Sequence, residues 1–291
     1  MSKYVSYWNL RERPFQNVAD TRFAYMSNQH REGLARLLYI VEEHKLGGVL
    51  TGPYGVGKSM VLELLEKSIA GQPEFHLISL NAPPSGGVLV LAKQILALLN
   101  CTGPAYDISN ALAAIQERCN AIEMNGGHIV LMVDEAQLLR ESTSFEFLHL
   151  LTNLRVQRKD GLMKESAITL ILAGHNDIRV NLAAEPALCQ RIQLFWELQP
   201  LDENQTLEYI QLRMRAAGGD IWIFEEDSIP EIHRASGGLP RLINNICDIG
   251  LLLGYSSGAS KVSRNTICQA IRETNSPIIN NTKNEEVPCR N

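Results

Sequence analysis

The spacing of apolar residues changes several times along the chain, and each change marks a predicted element. Two mostly apolar runs, 128–133 and 168–173, are interrupted by few polar residues. Such runs are typical of strands buried on both faces of a parallel sheet. Shorter runs at 49–51, 75–80 and 195–198 predict three more strands. Strands separated by helical patterns predict an α/β fold.

Helices are predicted where apolar residues recur every three or four positions. This spacing covers residues 27–44, 86–100, 108–124 and 143–157. After Asp202 the pattern is helical only. The predicted organisation is an irregular N-terminal segment packing on the core (1–26), an α/β domain (27–200), a helical lid (201–274) and a flexible tail (275–291).

The most informative stretch joins the first strand to the next helix. Residues 52–59 read GPYGVGKS, which has the G-x-x-x-x-G-K-[ST] spacing of a phosphate-binding loop. Such a loop directs backbone N–H groups and the positive end of a helix at a phosphate. Lys58 would then reach the β- and γ-phosphates, and the Ser59 hydroxyl would bind Mg²⁺. The alternative is a glycine-rich structural turn. The predicted nucleotide-binding residues here are Gly52, Tyr54, Gly55, Val56, Gly57, Lys58, Ser59 and Met60.

Polar residues follow both buried strands, at the sheet edge where ligands of open parallel sheets bind. Asp134 and Glu135 follow the first strand, and we expect Asp134 to hold Mg²⁺ and Glu135 to polarise the attacking water. The alternative is that the two acids only cap the next helix. His175 or Asn176, after the second strand, could contact the γ-phosphate or orient the water, or could belong to a solvated turn.

Two arginines stand out by their positions. Arg191 lies just before the last predicted strand. Arg241 follows Pro240, a residue favoured in the first helical turn, and so would lie near the positive end of a helix. Exposed arginines are more often solvated than functional, and only their order relative to the other motifs distinguishes these two.

Net charge and hydropathy limit the classes of partner that the sequence favours. The net charge of −5 disfavours nucleic acid as the main partner, although the local basic cluster at 155–159 keeps DNA open. No apolar run approaches the ~20 residues that span a bilayer, and the N-terminus lacks the apolar core of a signal peptide. We therefore expect a cytoplasmic protein with no direct membrane insertion.

The order of these motifs resembles an AAA+ ATPase. Within that superfamily the chain is similar to the ExeA/GspA group of general-secretion ATPases and to their TniB/TnsC transposition relatives. The resemblance covers about residues 7–271. The motifs that carry it are LRERPF (10–15), HRE (30–32), the loop around Lys58, DEAQ (134–137), LHLLTNL (148–154), QRI (190–192), LQPL (198–201) and GLPRLINNICD (238–248).

The resemblance implies the fold and the site roles. It implies a P-loop three-layer α/β/α domain with a five-stranded parallel sheet, a C-terminal helical lid, and a segment from Pro14 to Tyr25 that helps enclose the adenine. ATP would bind between protomers of a ring or filament. The implied roles are Walker A for Lys58 and Ser59, Walker B for Asp134 and Glu135, sensor 1 for His175 or Asn176, arginine finger for Arg191, and sensor 2 for Arg241.

The implied function is an ATPase that uses ATP and Mg²⁺ to assemble and remodel a protein partner, in secretion or envelope assembly. The alternatives are a regulator that forms ATP-dependent filaments on DNA, and a protein that binds ATP without hydrolysing it. Secretion relatives tend to carry Gln where this chain has His175. Secretion relatives often continue into a membrane span and a peptidoglycan-binding module, and neither is recognised in this sequence. We therefore expect any role at the inner membrane to require recruitment by a partner.

Overall fold

The computed structural model describes residues 3–83, 87–101, 106–157, 161–164 and 166–274. The predicted tail, 275–291, lies outside these residues. The described chain divides into two compact units. One contains residues 29–53 and 61–198, and the other contains the N-terminal residues to Asn28, the loop Tyr54–Met60 and the chain from Gln199 onward.

The first unit is built on a five-stranded parallel sheet. Its strand order is β2-β3-β6-β1-β7, with β1 paired to β6 and β7 in parallel register. The strands are β1 Gly47–Thr51, β2 Phe75–Asn81, β3 His128–Asp134, β6 Ile168–Gly174 and β7 Leu194–Glu197, and a separate antiparallel hairpin pairs β4 Val156–Gln157 with β5 Met163–Lys164.

Helices cover both faces of this sheet. They are α2 Asn28–Glu42, α3 Lys58–Ile69, α4 Gly87–Leu98, α5 Ile108–Met124, α6 Ser142–Thr152, α7 Ile178–Ala183 and α8 Pro186–Cys189. In β1, Val49 packs in the cluster of α4, α5 and α6. A Cβ on the neighbouring Gly48 would instead lie 3.5 Å from Leu37 and 3.6 Å from Ile40 of α2. Since successive strand residues point to opposite faces, the predicted three-layer α/β/α arrangement is confirmed.

The second unit is helical, as predicted for the lid. Its helices are α1 Lys3–Tyr7, α9 Glu203–Ala216, α10 Ile229–Ser236, α11 Pro240–Ser256 and α12 Arg264–Glu273. Aromatic residues of the N-terminal segment complete the core of this unit. The Trp8 indole donates to the Leu251 carbonyl at 2.9 Å, and Phe15 packs edge-to-face on Phe224.

The N-terminal segment packs on the helices of this second unit. Its buried apolar side chains, among them Tyr4, Trp8 and Phe23, join the cluster of the C-terminal helices. Aromatics reveal that a segment will be buried, but their spacing does not reveal which partner will bury them. The boundaries at residues 26 and 200 stay a prediction.

The predicted helix 143–157 is too long. Helix α6 ends at Thr152, and the chain then enters the β4–β5 hairpin. Tertiary contacts explain why the helix ends there. The Arg155 carbonyl accepts from the Gln116 side chain of α5 at 2.7 Å, and Val156 is fully buried in the core. Within the described residues no helix combines the length and apolar character that crossing a membrane demands.

The turn before α11 yields a stability prediction. Gly238 has a φ of +71°, and a Cβ there would lie 1.9 Å from the Leu201 carbonyl oxygen, which overlaps backbone. Gly258 has a φ of +67° with no atom within 4 Å of such a Cβ. We expect Gly258→Ala to lower the free energy of unfolding by about 1 kcal/mol through backbone strain. Gly238→Ala should cost about 3 kcal/mol or more, because overlap adds to strain. Urea denaturation measures both, and equal losses would contradict the packing described.

Candidate nucleotide-binding site

The loop between β1 and α3 has the backbone of an anion-binding turn. Gly52, Gly55 and Gly57 have φ values of +153°, +79° and +114°, which L-residues with side chains rarely adopt. The turn leads directly into α3, a helix of twelve residues that begins at Lys58. Free N–H groups at a helix N-terminus favour phosphate. The sequence of the loop and its backbone conformation therefore agree.

Some side chains of the loop pack in the core, and others could bind a ligand. Val56 is fully buried and anchors the turn. Lys58 is only 5% exposed, with its Nζ atom 5.8 Å from the centre of the half-exposed Tyr54 ring. Ser59 and Met60 follow in the first turn of α3. Backbone N–H groups, a nearly buried ammonium and a hydroxyl form a donor set that suits a triphosphate with its Mg²⁺.

The start of α11 lies against this loop within the helical unit. The Arg241 N–H donates to the Gly55 carbonyl at 3.3 Å, and a Cβ on Gly55 would lie 2.6 Å from the Arg241 Cβ. Pro240 occupies the first turn of α11, as predicted. The Arg241 side chain is exposed. The structure thus brings the loop and the predicted sensor-2 arginine together.

Asp134 ends β3, and the backbone changes direction at Glu135. The Asp134 carboxylate accepts from the Glu135 N–H at 2.8 Å. Glu135 has a φ of +52°, a left-handed conformation that costs a non-glycine residue roughly 1–2 kcal/mol. Its side chain makes no capping bond to the turn at Ala136–Leu138. The alternative that Glu135 merely caps the next helix is therefore not what the structure shows.

Gln137 connects Glu135 to the end of β6. Its Nε2 atom donates to Glu135 Oε2 at 2.6 Å, and its Oε1 atom accepts from the His175 N–H at 2.9 Å. Gln137 is 8% exposed. It stands in the DEAQ stretch, but the sequence offers no signal for these two contacts.

The two candidates for sensor 1 have different surroundings. The His175 ring lies 3.0 Å from the exposed Asp177 carboxylate. Asn176 Nδ2 donates to Glu197 Oε1 at 2.9 Å, and Arg179 holds the other oxygen of Glu197 at 2.8 Å. Among the described residues, Asn176 Oδ1 is buried without a hydrogen-bond partner. A buried acceptor of this kind is uncommon and favours a polar ligand or water beside it.

Arg191 lies between α8 and β7 and is half-buried. Its Nη1 atom donates to the carbonyl of Thr152 at 3.2 Å, the last residue of α6. A cation is stabilised at a helix C-terminus. One carbonyl leaves most of the guanidinium's donor capacity for another partner.

A buried arginine fixes the segment that the resemblance places near adenine. Arg213 of α9 is 4% exposed and donates to the carbonyls of Pro14 at 2.6 Å and Gln16 at 2.8 Å. It also donates to the Tyr209 hydroxyl at 2.9 Å. Burial raises the pKa of the Tyr209 phenol, which stays protonated and donates to Asn244 at 2.8 Å. In the sequence nothing distinguishes Arg213 from exposed arginines.

The sheet order, the glycine turn into α3 and the acidic residues at the end of β3 together define a P-loop ATPase of the AAA+ class. A family model described as an AAA domain matches residues 41–182. The chain therefore contains an AAA domain, as the sequence predicted.

The relatives agree with this class. General secretion pathway protein A of Aeromonas hydrophila is 31% identical over 277 residues, which are 93% of this chain and 48% of that protein. The chain thus spans about half the length of this relative. The ORC2 protein of Aeropyrum pernix, solved as ADPNP-ADP complexes, has a TM-score of 0.67 at 12% identity, covering 91% of this chain and 72% of that one. Cdc6p of Pyrobaculum aerophilum has a TM-score of 0.66 at 18% identity, covering 88% and 71%. At these identities the solved structures show the fold alone.

Proposed function

We propose that this chain binds MgATP at the loop Gly52–Met60, hydrolyses it, and uses the cycle to assemble with other copies and act on a protein partner. One observation carries the proposal: three glycines with positive φ lead into a helix that begins with a nearly buried lysine. Such a turn directs backbone N–H groups at a phosphate, and the lysine adds a positive charge beside them.

The residues divide into binding and hydrolysis. The N–H groups of the loop and the Lys58 ammonium would hold the phosphates, while Ser59 and Asp134 would hold Mg²⁺. When bound, Mg²⁺ neutralises charge that develops on the phosphate oxygens. Glu135 would polarise the attacking water as general base.

Two further groups would complete the site. The orphaned Oδ1 of Asn176 supports Asn176 rather than His175 as sensor 1, because an acceptor can orient a water that donates to it. Arg241, beside Gly55, would contact the nucleotide of its own chain. Arg191 would act on the nucleotide of a neighbouring copy.

The partner class follows from the relative. The Aeromonas relative is named for general secretion. We propose that this chain is cytoplasmic and that a protein partner in secretion or envelope assembly recruits it to the inner membrane. The DNA alternative rests on the basic cluster 155–159, of which residues 158 and 159 lie outside the described part of the chain. A DNA regulator should assemble only with ATP and duplex DNA, and should lose affinity steeply with salt.

The binding step has a direct test. MgATP at 100 times its dissociation constant should stabilise the wild type by about 2.7 kcal/mol, which raises the melting temperature by several degrees. Lys58→Ala should lose most of this shift. The matched control is Lys67→Ala, an exposed lysine of the same helix, which should keep it. A folded Lys58→Ala protein with an unchanged ATP shift would exclude this loop as the site.

Assembly gives a second prediction, for Arg191. Lys58→Ala and Arg191→Ala should each be nearly inactive, since an arginine finger can supply ~10³-fold in rate. Mixed one to one before assembly, about a quarter of head-to-tail interfaces would pair intact Lys58 with an intact neighbouring Arg191. ATP turnover should therefore reappear on mixing.

The mixing experiment needs two controls. Arg140→Ala, at an exposed arginine, should be active alone. Differently tagged copies should confirm that subunits exchange. Exchange without recovered turnover would remove Arg191 from the neighbouring site. Running the same mixtures with and without duplex DNA separates the protein-partner function from the DNA alternative.

A further inference from the structure

We infer that Gln137 is a positioning residue that holds the Glu135 carboxylate in register with the end of β6, so that water activation depends on this contact. The inference rests on the proposed function, in which Glu135 is the general base. Gln137 itself contacts neither the phosphates nor the water in this account. It acts through Glu135 on one side and the backbone of His175 on the other.

The orientation of the Gln137 amide is fixed by its partners. A backbone N–H can only donate, so the atom that faces His175 at 2.9 Å must be the carbonyl oxygen Oε1. The amide nitrogen Nε2 then faces Glu135 Oε2 at 2.6 Å and donates to it. Exchanging the two amide atoms would leave two donors facing each other at His175. The contact with Glu135 is therefore a hydrogen bond from a neutral donor to a carboxylate.

The surroundings leave the side chain little freedom. Gln137 is 8% exposed. A Cβ on Gly174, the last residue of β6, would lie only 2.3 Å from Gln137 Oε1. The glycine therefore makes room for the amide. Glu135, which accepts the hydrogen bond from Gln137 Nε2, has a left-handed backbone. This strained conformation must be maintained by the surrounding contacts.

The two hydrogen bonds of the Gln137 amide form a bridge between Glu135 and the backbone of His175, and this bridge has a mechanical role. Asn176, the proposed sensor 1, directly follows His175, so the Gln137 bridge transmits a displacement of that backbone to the carboxylate of Glu135. Glutamine suits the position because one planar group supplies both an acceptor and a donor. Methionine has a similar size but lacks both functions. Glutamate has the same shape but replaces the donor by a second carboxylate.

Glutamate at this position gives a readout that needs no nucleotide. Two carboxylates in contact repel each other, so Gln137→Glu should destabilise the folded protein at neutral pH, whereas the wild-type amide donates to Glu135.

The chain offers a matched control for this arm. Gln269 on α12 donates to Glu273 Oε1 at 3.0 Å, but both side chains are exposed. The melting temperature of Gln137→Glu without nucleotide at neutral pH should lie several degrees below that of the wild type. Gln269→Glu should show almost no such loss, because solvent screens the pair. Equal losses in the two variants would overturn the contact.

Turnover tests the consequence. Gln137→Met should lower kcat by about 10-fold or more while KM for ATP and the ATP melting shift stay within about twofold of wild type. If Gln137→Met does not fold, Gln137→Asn, whose shorter amide cannot span both partners, replaces it with the same expectation. A kcat within twofold of wild type in a folded variant would overturn the positioning role.

The two arms separate the inference from the function on which it rests. Wild-type turnover that Lys58→Ala does not reduce would overturn the proposed function, and the positioning role would fall with it. Wild-type turnover that requires Lys58, combined with normal kcat in the Gln137 variants, would overturn the positioning role alone. A melting loss in Gln137→Glu but not in Gln269→Glu, together with a loss confined to kcat in Gln137→Met, would support both.

Discussion

The turn of three glycines between β1 and α3 is the constraint on which the rest of the structure depends. Gly52, Gly55 and Gly57 all have positive φ, so the chain can reverse direction tightly and begin α3 at Lys58, where a helix N-terminus favours phosphate. β1 must be buried between β6 and β7 to hold the beginning of this turn. Gly55 must lack a side chain because Arg241 packs against it.

A second layer of organisation lies at the carboxyl ends of β3, β6 and β7. Asp134 ends β3, Glu135 follows it and Asn176 follows β6, and the parallel register of β3 and β6 brings these ends to one sheet edge. A hydrogen bond of Gln137 connects the end of β3 to the neighbouring β6, and Asn176 connects the end of β6 to Glu197 of β7, with β1 between the two strands. These bonds link the strand ends, which is the arrangement expected if a change at one position alters another.

Much of the fold and of the candidate site could be predicted from the sequence, for identifiable reasons. The loop at Lys58, the buried strands and the helical lid follow from local spacing and period, which a sequence shows directly. The end of α6 at Thr152, the packing of Trp8 in the lid and the burial of Arg213 depend on tertiary partners, which local spacing does not reveal. Gln137 illustrates the same limit, since a glutamine acquires its role only when β6 brings the His175 N–H within reach.

The central claim is that this fold binds ATP and that Glu135 activates the water. The most direct measurement compares ATP affinity with steady-state turnover in wild type and in Glu135→Gln, which keeps the shape of the side chain but cannot act as a base. If Glu135 is the general base, ATP affinity should stay within a few-fold of wild type and turnover should fall by roughly 10²-fold or more. Turnover close to that of the wild type in this variant would contradict it, because another group would then have to activate the water.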